Sequence, residues 1–204
     1  MVNSVCKYLL KQDIDFDCND PISVGVEPNG IIINREDIDF GATQFVEGKP
    51  NCISQLQLKK GKHGYAIAQG GKTPFTGTNT AFAEGTYVNT FTHLVSMVVL
   101  DNGADVCENI IDGLANGEFI VVLENKYKGL NKDTNAGSAA FQIYGYYNGL
   151  KASEITNDKY SEDTNGGWLV NLQEEKTLKS GLFLFNTNYD GSKAAFDALL
   201  EIAE

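Results

Sequence analysis

Apolar residues in this chain come in short runs, and most of those runs alternate with polar positions. Period-two alternation is the mark of a half-buried strand. Gly30-Ile31-Ile32-Ile33-Asn34 predicts a short buried strand, and Leu56 and Leu58 alternate with Gln55, Gln57 and Lys59 as in a half-buried one. Leu94–Leu100 is apolar but for Ser96 and predicts a strand buried on both faces, as does the continuously apolar Phe119–Leu123. Between them Val106, Ile110 and Leu114 recur every four residues, with Cys107 and Ile111 alongside, which predicts one helix over about 104–116. Asn116-Gly117 is a suitable stop for it.

Further on, Phe141, Ile143, Gly145 and Tyr147 share one strand face, and Gln142, Tyr144 and Tyr146 the other. Apolar or aromatic side chains on both faces predict a strand held between a core and a second, partner surface. Asn148-Gly149 is a hairpin-type turn signal. Trp168, Val170 and Leu172 alternate around Asn171, and Leu182–Phe185 is a last apolar strand. Ser192 is placed to cap a C-terminal helix over 192–204 whose Ala195, Phe196, Leu199 and Leu200 face inward.

The stretch 61–90 breaks this texture. It is rich in glycine and threonine and predicts an extended loop or hairpin with little core of its own. A loop of that length in a compact domain usually has a function. Its candidate residues are Gly70, Gly71, Lys72, Pro74, Phe75 and Thr78.

Composition narrows the class. With 204 residues, 42% apolar and 21% charged, the chain carries enough apolar matter for one sizeable core and reads as a single domain, 1–204. A net charge of −11 disfavours tight nucleic-acid binding through a basic patch. The densest basic cluster, Lys59, Lys60, Lys62 and His63, reads as a solvated strand end and turn. No segment approaches the ~20 apolar residues of a membrane helix, and Tyr8-Leu9-Leu10 is too short for a signal-peptide core. Synthesis and folding in a cytoplasm follow as the expectation, with Cys6, Cys18, Cys52 and Cys107 as free thiols.

Motifs for chemistry fail on inspection. Gly70-Gly71-Lys72-Thr73 suggests a phosphate loop, but the first glycine of that motif is replaced by Ala66, and Pro74 and Gly77 oppose the helix that should follow. Asp13, Asp15 and Asp17 open like a calcium loop, yet Cys18 and Val24 stand where Gly and Glu are required. The two histidines, His63 and His93, form no metal or catalytic pattern. No catalytic, cofactor-binding or metal-binding residue is therefore assigned, and no enzyme activity is expected.

The order of elements resembles the major tail tube proteins of tailed bacteriophages. Three pieces carry the resemblance: Cys6 and Cys18 followed by Ile31–Ile33; Asn89-Thr90-Phe91-Thr92 leading through strand and helix to Leu123; and the segment Phe141–Leu150 followed by Gly166-Gly167-Trp168. The resemblance implies a mainly β fold, a sandwich or barrel with a flanking helix and a long loop or hairpin arm. It implies stacked hexameric rings forming a tube for genome ejection, in a virion tail made in a bacterial host cytoplasm. Partners would be copies of the chain, other tail proteins, and double-stranded DNA only as passing cargo; no cofactor and no membrane are implied. The stretch 61–90 would be the arm between rings, and Tyr144, Tyr146 and Tyr147 would lie at a subunit interface. Two other readings stay open: a capsid decoration or tail-completion protein of similar build, and a carbohydrate-binding β-sandwich with those tyrosines as its sugar platform.

Overall fold

The computed structural model describes residues 10–14, 17–69, 73–132 and 134–203. Among these the strands are β1 (Val26–Asn34), β2 (Gln44–Phe45), β3 (Cys52–Gln55), β4 (Tyr65–Ile67), β5 (Phe75–Ala83), β6 (Thr90–Val99), β7 (Phe119–Asn125), β8 (Phe141–Tyr144), β9 (Lys151–Asn157), β10 (Trp168–Thr177) and β11 (Leu182–Leu184). They form a seven-stranded sheet in the order β2-β3-β11-β8-β7-β1-β4 and a four-stranded sheet in the order β5-β6-β10-β9. Pairing is antiparallel throughout, except that β11 runs parallel to β3. The fold is mainly β, a sandwich with helices against it.

β7 shows why the architecture has three layers. Phe119 through Glu124 are all buried. Ile120 and Val122 belong to one apolar core, while Phe119, Val121 and Leu123 belong to another. Alternate side chains of a strand point to opposite faces, so a strand buried on both must have a layer on each side. On one side lie Phe196 and Leu199 from the C-terminal helix; on the other lie Val95, Met97, Val170 and Leu172 from the smaller sheet. Each fully buried aliphatic side chain here contributes about 1.5–3 kcal/mol.

The same logic corrects two readings. β6 alternates along most of its length, with Val95 and Met97 inward and Leu94 and Ser96 half-buried, because only one face of the smaller sheet is covered. In β8, by contrast, Phe141 and Ile143 fill one core and Tyr144 the other. The chain itself supplies both layers, so the aromatic faces of this strand need no partner. Nor does Asn148-Gly149 close a hairpin: β8 lies in the larger sheet and β9 in the smaller one. The chain crosses between sheets at Gly145, whose φ of +84° and close approach to the Phe119 carbonyl exclude a Cβ.

The strand expected around Leu56 and Leu58 ends at Gln55. Both leucines are nevertheless buried, with Leu58 bridged to Ile38.

The central helical segment occupies the expected span as α1 (Ala104–Val106), a π-helical turn (Cys107–Ile111) and α2 (Asp112–Asn116). Its inward stripe is Val106, Ile111 and Leu114, whereas Ile110 is 42% exposed. A π turn bonds i to i+5, so the residue five beyond Val106, not four, faces the core.

At the C-terminus α3 (Tyr189–Asp197) starts earlier than Ser192. Asn188 is the cap, its side chain accepting from the Gly191 N–H at 2.8 Å. Ser192 is buried within the first turns, where its Oγ donates to the Asn188 carbonyl and accepts from the Asn186 N–H at 2.9 Å. The last turn, Ala198–Leu200, is 3-10 helix. Its tighter pitch keeps Phe196 and Leu199 inward and turns Leu200 out to 41% exposure.

A candidate self-assembly surface

The stretch 61–90 is neither bare loop nor core. β5 and β6 form an antiparallel hairpin in register from Phe75↔Met97 to Ala83↔Thr90. Threonine and aromatic residues give β5 its strand character. Its base is anchored: Pro74 and Phe75 are buried, and the Phe75 ring lies against Gly30, where a Cβ would sit 2.7 Å from it. Beyond Phe75 every residue from Thr76 to Phe82 is exposed, although Thr78 and Thr80 still reach the buried Tyr144 and His93 at the rim of the sandwich. The tip adds exposed Tyr87 and Val88.

Charge sets this hairpin apart. From Thr73 to Leu100 the chain holds one carboxylate, Glu84, and no Lys or Arg, in a protein of net charge −11. β5 is also a terminal strand of its sheet. Natural edge strands are usually short or carry charges that discourage pairing with another chain. The opposite edge, β9, carries Lys151 and Glu154; β5 is nine residues long with no such guard.

The second feature is a groove of about 1150 Å³ on the side where β4 ends the larger sheet. Tyr65 and Ile67 line it from β4, Val99 and Leu100 from the end of β6, Ile110 from the π turn, and Leu200 from the C-terminal turn. Asp101 is its single acidic or basic residue apart from His63 among the described residues.

The assigned residues fall as follows. Gly70, Gly71 and Lys72 lie outside the described residues. Pro74 and Phe75 are buried anchors, not parts of a projecting surface; Thr78 alone of the described group is on the exposed ribbon. Tyr144 and Tyr146 are 4% and 8% exposed and pack inside their own chain, so neither offers a free face to a neighbouring subunit or to a sugar. Tyr146 is boxed by Phe40, Phe45 and Tyr147, and Tyr147 is half-buried. Burial pushes the Tyr144 phenol up, against the opposing effect of its hydrogen bond with Thr78. A residue expected on an arm and one expected at an interface thus meet within one chain. The residues that sequence reasoning missed are Phe82, Tyr87, Val88, Leu100 and Ile110; for the hairpin group, the lack of charge from 73 to 100 was the available signal.

Buried ionisable groups are all tied into the fold. Glu174 accepts backbone N–H bonds from Gly145, Tyr147 and Asn148 at 3.0, 3.1 and 2.8 Å. His93, paired with it across β6 and β10, has Nε2 3.0 Å from the Lys179 carbonyl and Nδ1 3.3 Å from Thr80 Oγ1. Glu124 meets the Tyr189 hydroxyl at 2.7 Å and Lys128 at 3.4 Å. Asp37 pairs with Lys62 at 2.9 Å; burial raises its carboxyl, but the bonds from Lys62 and Asn34 outweigh that and hold it below its usual value. Among the described residues no three His, Cys, Asp or Glu side chains are grouped to hold a metal, and no helix is long and apolar enough to cross a membrane. Compared with protein-family models, with curated proteins and with solved structures, the chain matches none.

Proposed function

We propose that this protein is a virion structural component that assembles with copies of itself into stacked, sixfold rings, the tail tube through which a tailed phage ejects its genome. The observation that carries the reading is β5: a nine-residue, uncharged edge strand exposed on both faces over Thr76–Phe82. Exposed strand edges of that kind pair with further strands, and pairing between copies would bury it. Head-to-tail contacts that close give a ring, and those that do not close give a filament; a tube needs both.

The open face of the smaller sheet suits a lumen wall. Its side chains include Asn79, Ser96, Asn171 and Gln173, uncharged and polar, with half-buried Leu94, the carboxylates of Glu154 and Glu175, and Lys151, whose charge is paired with Glu118 at 2.7 Å. Such a wall offers phosphates little to hold, so DNA would pass along it without sticking. Other tail proteins would begin and end the tube.

Negative-stain electron microscopy of the purified protein at high concentration tests this. Hollow tubes or stacked rings are the expected result. Discrete particles of one or two chains at every concentration and ionic strength, including with tail-initiating proteins present, would overturn the reading.

A further inference from the structure

Five glycines of this chain directly follow an asparagine: Gly30, Gly103, Gly117, Gly149 and Gly166. The side-chain amide of an asparagine is open to attack by the backbone nitrogen of the next residue, and glycine, without a Cβ, leaves that approach least obstructed. The fold ties up four of the five nitrogens. Gly117 N–H donates to the Gly113 carbonyl at 2.9 Å, Gly149 N–H to the Gly145 carbonyl at 3.1 Å and Gly166 N–H to the Ser161 carbonyl at 3.0 Å. Gly30 is buried inside the larger sheet, where its backbone is fixed between Ile67 on one side and Leu123 on the other. Gly103 N–H alone has no acceptor among the described residues.

The amide in front of it is also set up to be attacked. Asn102 Oδ1 accepts from Lys159 Nζ at 2.7 Å and from Asn157 Nδ2 at 3.1 Å, while Asn102 Nδ2 donates to the Gly166 carbonyl at 2.6 Å. Two donors on one end and an acceptor on the other fix which atom is oxygen. A carbonyl oxygen held by an ammonium and an N–H is stabilised as the oxyanion that forms when its carbon is attacked. There is room for the attack: Asp101 through Asp105 are exposed, and no heavy atom lies within 4 Å of where a Cβ on Gly103 would stand.

We infer that Asn102 is a site of self-inflicted covalent modification, at which the Gly103 nitrogen closes a succinimide ring and water opens it. The Gly103 nitrogen forms a bond to Asn102 Cγ and gives up its proton; the Cγ–Nδ2 bond breaks, and Nδ2 leaves with that proton as ammonia. Water then adds to one of the two ring carbonyls, and the C–N bond there breaks. Opening at the side-chain carbonyl leaves aspartate at 102; opening at the backbone carbonyl leaves isoaspartate, with the main chain running through Cβ. Nothing is oxidised or reduced, and nothing in this chemistry depends on assembly.

The product unlatches two connections. Asn102 ties the joint between β6 and α1 to residue Gly166, in the connection from β9 to β10. Ammonia carries off the donor of that bond, and a carboxylate can only accept. The Gly166 carbonyl keeps Asn157 Nδ2 at 3.1 Å, and the new charge pairs with Lys159 instead.

Peptide mapping by mass spectrometry of purified protein held at mildly alkaline pH tests this, with chromatography separating aspartate from isoaspartate. The mass gain of an NH₂-to-OH exchange should build up first at Asn102. It should lead Asn116, Asn148 and Asn165 by about five- to tenfold, because a tied nitrogen must first lose a hydrogen bond of ordinary net strength. In guanidinium chloride all five nitrogens are free and the lead should vanish. Gly103→Ala, admitted by the open space and the extended φ of −157°, should hold conversion at 102 to background. Lys159→Met should slow it about two- to fivefold and Lys159→Arg should not, as for an exposed ionic contact. Melting curves check that each variant is folded. Asn102→Asp, made directly, should speed hydrogen exchange over residues 158–167. Conversion at any of the other four before Asn102 overturns the inference. So does an unmodified Asn102 when the guanidinium sample has converted, a lead that persists in guanidinium chloride, or an undiminished rate in Gly103→Ala. An unchanged rate in Lys159→Met removes the ammonium from the mechanism.

Discussion

Glu174 and Gly145 join the two sheets: the carboxylate on β10 accepts the Gly145 N–H, at the end of β8, at 3.0 Å. The other carboxylate oxygen takes the N–H groups of Tyr147 and Asn148. These donors belong to the segment where the chain leaves the larger sheet for the smaller one. A buried ion that accepts three N–H bonds is well compensated, and bonds to a charged group are each worth about 1.5–3 kcal/mol.

Glu174→Gln should therefore cost about 2–4 kcal/mol, since the amide keeps one acceptor oxygen and turns an NH₂ toward a backbone donor. Urea unfolding of the two proteins measures it. A loss under about 0.5 kcal/mol would show that the crossing is held without the carboxylate.

Gly30 and Phe75 should be coupled. A Cβ on Gly30 would meet both the Phe75 ring and Leu123 at 2.7 Å. Gly30→Ala is expected to cost about 1–3 kcal/mol by overpacking and Phe75→Ala about 3–5 kcal/mol by truncation. The double variant should be more stable than the sum implies, because losing the ring makes room for the methyl. Additivity within about 0.5 kcal/mol would refute the contact.

Acid should act through Asp37. A carboxyl whose folded pKa is depressed adds stability that is present above its unfolded value, near 3.8, and is lost as pH falls through the folded value. Asp37→Asn removes that contribution, so its melting temperature should lie below wild type at neutral pH and converge with it as the pH falls below about 4. Parallel curves over the whole range would exclude the assignment.

Alkali should act through Tyr189. Burial first, and then the Glu124 carboxylate that accepts its hydroxyl, push this phenol up to about 12. A raised pKa means stability that is complete below the unfolded value of about 10 and lost as pH rises from there towards 12. Tyr189→Phe should flatten the stability profile above pH 10 and remove one late-ionising phenol, titrating near 12, from a spectrophotometric titration at 295 nm.

Most strands and both helical segments were legible in the chain, because period and apolar content are local properties. Phe119–Leu123 reads as doubly buried from its own composition, and 104–116 as helix from its own spacing. Two signals misled. Phe141–Tyr147 shows two apolar faces, but only the sheet order reveals that both covering layers come from the same chain. Ile110 and Leu200 fit an inward stripe, yet a π turn and a 3-10 turn rotate them outward.

The amino-acid sequence by itself determined the mainly β class, the positions of the helices and the scarcity of charge over residues 73–100, where Glu84 is the single carboxylate and there is no Lys or Arg, since each depends on neighbours along the chain. Tertiary structure alone decided which aromatic residues are used in the cores, which edge is left unguarded and where a groove opens beside it. Those depend on which strands become neighbours across the sheets, and strand order is set by contacts between residues far apart in sequence.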